Sequence, residues 1–124
     1  MIKTSFTKKS HKSCGHSSQT VIDSVIYVGG TMGIDPVTQE PSGSLDGEIE
    51  LVIANLTECL NHAFTSWSNV LRVNIFLTDL GDFDKVDAAL ARALGETRPV
   101  YTVAQVSGLL KGCHVCIDLT AAAF

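Results

Sequence analysis

The stretch from residue 70 to residue 80 constrains the fold most, because it reads as a strand between two helical patterns. Its apolar residues fall at every second position: Leu71, Val73, Ile75 and Leu77. A period of two is the signature of a strand with one face in a core. Most intervening residues are polar, but Phe76 is not, so the second face is also expected to be partly covered. We therefore predict a central strand in a sheet backed by helices.

Helical periodicity lies on both sides of this strand. Residues 47–66 carry apolar side chains at three- and four-residue spacing, which is typical of a helix that buries one face. These residues are Ile49, Val52, Ile53, Leu56, Leu60, Ala63, Phe64 and Trp67. Asp46 is expected to cap the N-terminus of this helix. A second helix is predicted to begin after Asp79 or Asp82 and to end at Gly95.

Further strands are predicted at residues 25–28, 100–106 and 113–120, and residues 2–6 could add an edge strand. Two helices on one face of a mixed sheet give an α+β two-layer sandwich, here as a single domain over residues 1–124. The sheet face away from the helices is predicted to carry Phe76, Tyr101, Val103 and Cys116. An apolar face of this kind indicates association, most simply a symmetric homo-oligomer.

Charge and hydropathy argue against two classes of partner. The formal net charge is -4, so there is no overall cationic field and no nucleic-acid partner is expected. The N-terminal lysines read as a solvated terminus: Lys3, Lys8, Lys9 and Lys12. No window approaches the roughly 18 apolar residues of a membrane-spanning helix, so no membrane partner is expected either.

The four cysteines predict reduced thiols, in the cytoplasm or another reducing compartment, rather than a disulfide framework. Cys113 and Cys116 have the CxxC spacing of metal and redox sites, but the alternation around them predicts a strand. Residues three apart on a strand point to opposite faces, so Cys113 is expected toward the helices and Cys116 away from them. No metal site and no cofactor is predicted.

Several segments, in order between residues 21 and 119, together match a known family. They are VIYVGG at 25–30, IDPVT at 34–38, NIFLTDLGDF at 74–83, Arg98-Pro99 and Gln105-Val106. This set resembles the YjgF/Rid family, also called the L-PSP endoribonuclease or translation-inhibitor family. The resemblance implies a chorismate-mutase-like fold, a homotrimer with ligand clefts between subunits, and hydrolysis of imines such as 2-iminopropanoate with release of ammonia.

The resemblance also implies which residues line the ligand cleft: His16, Gly30, Thr31, Tyr101, Val103 and Cys116. Gly30 and Thr31 match the cleft loop of the family, and Val103 matches a strand amide that faces the ligand. The N-terminal tyrosine of the family aligns with either His16 or Ser17. Its helical asparagine falls on Asp87.

Two cleft positions depart from the pattern of the family's deaminases. Tyr101 occupies the position at which those enzymes have the arginine that binds the substrate carboxylate. Cys116 stands where they have the glutamate that positions water. Arg98 lies three residues before Tyr101, so in an extended strand it is expected on the opposite face and cannot replace the arginine. With a phenol and a thiol in place of two charges, the ligand is expected to be flatter and less charged.

The sequence leaves several functions open, including whether the protein is an enzyme. The first is a Rid-like trimer with a small-molecule cleft and altered or lost deaminase chemistry. The second is an active deaminase with a rearranged site that uses Tyr101, Cys116 and His16. The third is an endoribonuclease or translation inhibitor, against which the acidic pI near 5.4 weighs. A pure interaction module is also open.

Overall fold

The computed structural model of this protein describes residues 4–6, 19–22 and 24–123. The described residues form strands β1 (Thr4–Phe6), β2 (Gln19–Ile22), β3 (Val25–Met32), β4 (Val70–Leu77), β5 (Val100–Gln105) and β6 (Val115–Ala122). The two helices are α1 (Leu45–His62) and α2 (Phe83–Leu94). Short 3₁₀ turns occupy Trp67–Asn69, Leu80–Asp82 and Leu110–Gly112.

The strands form one sheet in the order β1-β2-β3-β6-β4-β5. Strands β4 and β5 are parallel and α2 connects them, whereas all other neighbours are antiparallel. Both helices pack with the sheet around one main core, which confirms the predicted α+β two-layer sandwich. The edge strand predicted at residues 2–6 is confirmed over its described part, Thr4–Phe6, because β1 lies at the sheet edge. Within the described residues, no helix is long and apolar enough to cross a membrane.

Helix α1 begins and ends earlier than predicted. Its N-cap is Ser44, whose side chain accepts a hydrogen bond from the Gly47 amide at 3.1 Å, so Asp46 was the wrong cap. The helix ends at His62, and Phe64 beyond it adopts a left-handed conformation with φ 58. Phe64 is 92% exposed, so its assignment to the buried stripe was wrong. The other members of the stripe are buried or half-buried.

Helix α2 matches its prediction closely. The buried residues are Val86, Ala89, Leu90 and Leu94. Gly95 ends the helix with a φ of 62, a conformation that glycine adopts without a Cβ penalty. The carboxylate of Asp79 caps the 3₁₀ turn by accepting from the Gly81 amide at 2.8 Å. Asp82 occupies the N-cap position of α2, but its side chain makes no capping hydrogen bond.

Irregular strand pairing corrects the expectations for β3 and β4. The register of β4 against β6 shifts between Val70 and Arg72, and this bulge turns Leu71 outward. Leu71 is 50% exposed and Val70 is buried in its place, whereas Val73, Ile75 and Leu77 are buried as predicted. Strand β3 continues past the glycine pair to Met32, with a register shift against β6 between Val28 and Thr31.

The facing of β5 differs from the sequence expectation. In the parallel register, Tyr101 pairs with Val73 and Val103 pairs with Ile75. Paired residues on neighbouring strands share a face, and Val73 lies in the core beneath the helices. Tyr101 and Val103 therefore pack toward the helices, and their assignment to the open face was wrong. The open face instead carries Tyr27, Val100 and the predicted Phe76 and Cys116, by their register.

The last strand starts two residues later than predicted, at Val115 rather than Cys113. Cys113 follows the 3₁₀ turn, so strand alternation does not apply to it. It is buried with Met32 and Ile34 in a second, smaller cluster, which Cys116 also contacts. The prediction that Cys113 packs beneath the helices, on the far side of the sheet from Cys116, is therefore wrong.

Candidate functional site

Three of the predicted cleft residues lie together where β3 pairs with β6, and we call Gly30, Thr31 and Cys116 the β3–β6 group. A Cβ on Gly30 would lie 2.9 Å from the Cys116 sulfur, so only glycine fits there without displacement. Thr31 is fully buried, and its hydroxyl donates to the Gly29 carbonyl at 3.0 Å. The register shift at the glycine pair thus brings the cleft loop against the Cys116 side chain.

The Cys116 thiol is held in its neutral form. Burial raises its pKa to about 11, and the nearby Asp118 carboxylate acts in the same direction. A hydrogen bond with the Thr31 backbone lowers the pKa by less. At neutral pH the thiol is therefore protonated, so it carries neither the negative charge nor the basicity of a glutamate.

Tyr101 belongs to a separate cavity of about 370 Å³ between α2 and β5, which we call the α2–β5 pocket. Its lining residues are Asp87, Ala91, Leu94, Thr97, Arg98, Pro99 and Tyr101. Arg98 lines this pocket together with Tyr101. It precedes β5, which begins at Val100, so strand alternation does not apply to it. The expectation that Arg98 lies on the opposite face from Tyr101 is therefore wrong.

Burial is the main influence on the Tyr101 phenol and raises its pKa above the ordinary value of 10.0. Asp87 raises it further, and Arg98 lowers it by less. The phenol therefore stays protonated at neutral pH. It can donate or accept one hydrogen bond, but it cannot supply the fork of donors that an arginine offers. Val103, the other predicted cleft residue on β5, is half-buried against the main core.

The β3–β6 group and the α2–β5 pocket do not meet within one chain. Strand β4 lies between β6 and β5 in the sheet. Cys116 pairs with Phe76 on the open face, whereas Tyr101 pairs with Val73 on the helix face. His16, the remaining predicted cleft residue, and its alternative Ser17 lie outside the described residues.

Sequence reasoning missed a buried carboxylate beside these residues. Glu48 of α1 is only 4% exposed. Its Oε1 accepts from the backbone amides of His114 at 2.5 Å and Val115 at 2.9 Å, and its Oε2 lies 3.0 Å from His114 Nδ1. Glu48 therefore fixes the start of β6, two residues before Cys116. A weak signal existed, because Glu48 is four residues before the buried Val52 on the same helix face.

A second buried polar residue of α1 fixes the end of β3. Asn55 donates its side-chain amide hydrogens to the carbonyl oxygens of Met32 at 3.1 Å and Ile34 at 3.0 Å. Gly33, between these two, approaches Glu48 so closely that a Cβ would lie 2.4 Å from the Glu48 side chain. Together, Glu48 and Asn55 hold the two strand ends that carry the β3–β6 group.

Comparisons with known proteins agree with this architecture. The family model described as endoribonuclease L-PSP matches residues 7–123. A RutC family protein of Pyrococcus abyssi is 34% identical over 121 residues, which cover 96% of this chain and 94% of that protein. The 2-iminobutanoate/2-iminopropanoate deaminase of Homo sapiens is 31% identical over 117 residues, which cover 93% of this chain and 85% of the enzyme.

A solved structure shows the same fold. RidA from the Antarctic bacterium Psychrobacter sp. PAMC 21119 superposes with a TM-score of 0.81 at 29% sequence identity, covering 87% of this chain and 89% of that chain. The match of family model, relatives and fold extends over nearly the whole sequence. The chain therefore belongs to the endoribonuclease L-PSP family, which is the YjgF/Rid family that its sequence resembles.

Proposed function

We propose that the protein is a homotrimer that binds a small molecule in clefts between its subunits, and that it hydrolyses imino acids poorly compared with its deaminase relatives. In this proposal, the β3–β6 group of one subunit faces the α2–β5 pocket of the next. His16 and Val103 complete the cleft residues. We also place the protein in the cytoplasm, since Cys113 and Cys116 are unbridged thiols.

The observation that carries the proposal is the separation of the two groups within one chain. Cys116 and Tyr101 lie on opposite faces of the sheet, with β4 between their strands. A cleft that contains both must therefore receive one of them from a second copy. The open face supports such association, because Tyr27 is 49% exposed and Val100 is 60% exposed there.

Weak deaminase activity follows from the two replaced charges. A charge-assisted hydrogen bond is worth about 1.5–3 kcal/mol net, and an arginine fork makes two of them to a carboxylate. Loss of that fork at Tyr101 is expected to lower catalytic efficiency by about two to four decades. The neutral Cys116 thiol also lacks the carboxylate that would position water.

One observation favours a second candidate, an active deaminase with a rearranged site. Arg98 lines the same pocket as Tyr101, so it could take the role of the arginine from a different position in the chain. In that case, imino-acid hydrolysis would depend on Arg98 and not on any residue introduced at position 101.

The test is ammonia release from freshly generated 2-iminopropanoate. The proposal predicts low turnover for the natural chain, a modest gain for Tyr101→Arg, and a larger gain for Tyr101→Arg/Cys116→Glu. Val37→Arg adds the same charge at a residue that is 88% exposed in a loop, and it serves as the matched control. Turnover equal to that of an ordinary Rid deaminase would refute the proposal. If Arg98→Gln then abolished that turnover, the second candidate would stand.

A further inference from the structure

A groove lies between α1 and α2, and we call it the α1–α2 groove. It consists of two adjoining cavities of about 420 Å³ and about 380 Å³, which share the side chains of Glu50, Ala89 and Arg92. Glu50 and Arg92 are exposed, so the groove opens to solvent. Its lining on α1 extends from Asp46 to Thr57. At a rise of about 1.5 Å per residue, the groove is therefore about 16 Å long, or about three helical turns.

The floor of the groove is apolar and consists mostly of small side chains. Ala88, Ala89 and Ala93 contribute to it from α2, and Ile53 contributes from α1. Helix axes approach each other more closely where the side chains at the contact are small. A third helix can therefore pack deeply between α1 and α2, and the ends and rims of the groove determine which helix fits.

Trp67 lies at one end of the groove and leaves no polar group open there. Its indole Nε1 donates to the Thr57 hydroxyl at 2.9 Å, and that hydroxyl donates to the Ile53 carbonyl at 2.8 Å. An apolar side chain that covers Trp67 therefore leaves no buried donor without a partner. The larger cavity lies at this end, beside Trp67 and Ala93. It suits one large apolar anchor, such as a leucine or a phenylalanine of a partner.

The two rims of the groove carry opposite charges. Asp46 and Glu50 lie four residues apart on α1, and Lys85 and Arg92 lie seven residues apart on α2, so each pair occupies one side of its helix. Asp46 and Lys85 form an ion pair across the groove at 3.2 Å. Glu50 and Arg92 line both cavities, but neither forms an ion pair with any residue that the structure describes. Glu50 is therefore available to a basic residue of a partner, and Arg92 is available to an acidic one.

We propose that the α1–α2 groove docks an amphipathic helix of a partner protein. The apolar stripe of that helix packs on the floor and on Trp67, its basic flank lies over Glu50, and its acidic flank lies over Arg92. A helix fits better than an extended segment, because the backbone groups of α1 and α2 are bonded within each helix and offer no free edge for strand pairing. None of these residues contributes to the proposed cleft, so docking does not depend on it.

The experiment uses Trp67 as a probe inside the groove, because it is the only tryptophan of the chain. Four designed peptides of about 18 residues, all without tryptophan, are titrated against the whole protein while the emission of Trp67 is measured. Three share one apolar stripe and carry one basic and one acidic flank, two basic flanks, or two acidic flanks. The fourth is a scrambled form of the mixed-flank peptide. The mixed-flank peptide should bind most tightly and shift the emission to shorter wavelengths, and its scrambled form should not bind.

Substitutions on the rims should separate the two charges. Glu50→Gln should weaken binding of the mixed-flank and basic peptides about two- to fivefold, as expected for one exposed ion pair, and should spare the acidic peptide. Arg92→Gln should weaken the mixed-flank and acidic peptides to the same extent and spare the basic peptide. Each of these variants is thus the control for the other.

A steric pair of variants tests the position of the bound helix. Ala88→Arg places a long side chain in the groove from an exposed position and should weaken the mixed-flank peptide by at least about tenfold. Ala91→Arg adds the same group on the opposite side of α2, where Ala91 lines the α2–β5 pocket, and should leave this Kd unchanged. Unchanged Trp67 emission with every peptide, binding that does not depend on the flanks or on scrambling, or equal effects of the two arginine variants would overturn the inference.

Discussion

The β3–β6 group and the α2–β5 pocket belong to one sheet but differ in packing and charge. In the first, Thr31 is fully buried, Gly30 abuts the Cys116 sulfur, and the thiol is neutral at physiological pH. In the second, Asp87 and Arg98 are exposed and charged. The first is therefore shaped by strand pairing and by polar contacts from α1. The second is shaped by one face of α2 and by the chain that leads into β5, and its two charged residues are exposed. Substitutions of Asp87 and Arg98 should therefore have little effect on folding.

The largest expected effect concerns the support of the β3–β6 group. Glu48→Ala should lower the free energy of unfolding by about 3–5 kcal/mol, because two backbone amides and the His114 ring lose a buried carboxylate partner. Urea unfolding measures this change. Glu50→Ala, on the exposed side of the same helix, should alter the stability by less than about 0.5 kcal/mol. Equal effects of the two variants would contradict the role assigned to Glu48.

The next effect tests the packing inside the group itself. Gly30→Ala should lower the free energy of unfolding by about 1–3 kcal/mol, since the added Cβ would lie 2.9 Å from the Cys116 sulfur. The double variant Gly30→Ala/Cys116→Ala removes that sulfur and should recover part of the loss in a double-mutant cycle. If the effects of the two substitutions on the free energy of unfolding were strictly additive, Gly30 and Cys116 would not be in close contact.

A smaller effect should follow pH. The hydrogen bond that His114 Nδ1 donates to the Glu48 carboxylate raises the pKa of His114 above 6.5, with Asp82 contributing and burial opposing. Below the unfolded pKa near 6.5, protonated His114 makes its full contribution to stability through its contact with Glu48. This contribution declines as pH rises through the folded pKa. The decline should be modest, because the His114 side chain is 54% exposed and solvent screens it. The unfolding temperature of the natural chain should fall as pH rises across this range. His114→Gln should remove this part of the pH dependence. An equal slope in the two proteins would contradict the role assigned to His114.

The smallest stability effect is expected in the α2–β5 pocket. Asp87→Asn replaces an exposed carboxylate by an amide of the same shape and should change the free energy of unfolding by less than about 0.5 kcal/mol. Urea unfolding of the natural chain and of Asp87→Asn checks this value. A loss above about 1 kcal/mol would mean that Asp87 supports the fold, and the contrast between the two regions would then disappear.

Local periodicity predicted those parts of the fold that depend on neighbouring residues in the chain. The alternation in β4 identified Val73, Ile75 and Leu77 as core, and Gly95 marked the end of α2. Periodicity failed at Leu71 because a bulge shifts the register, and a bulge depends on the partner strand. Periodicity also failed at Phe64, because α1 ends at His62 and Phe64 adopts a left-handed conformation.

The candidate site was less predictable because long-range contacts decide it. The face of Tyr101 is set by its parallel pairing with β4, which the alternation within β5 does not reveal. Arg98 lines the pocket from a position before β5, whereas sequence spacing alone treated it as part of an extended strand. Glu48 contacts His114, which lies 66 residues further along the sequence. From the sequence alone, the negative charge of Glu48 indicated only a position near the start of a helix. The resemblance did identify Gly30, Thr31 and Cys116 as residues that lie together.

Sedimentation equilibrium at micromolar concentration tests the central claim most directly, namely that a second copy of the chain completes the cleft. The account predicts a single species with three times the chain mass of 13.2 kDa. A stable monomer would contradict it, because Cys116 and Tyr101 would then remain on opposite faces of one sheet with no partner to join them.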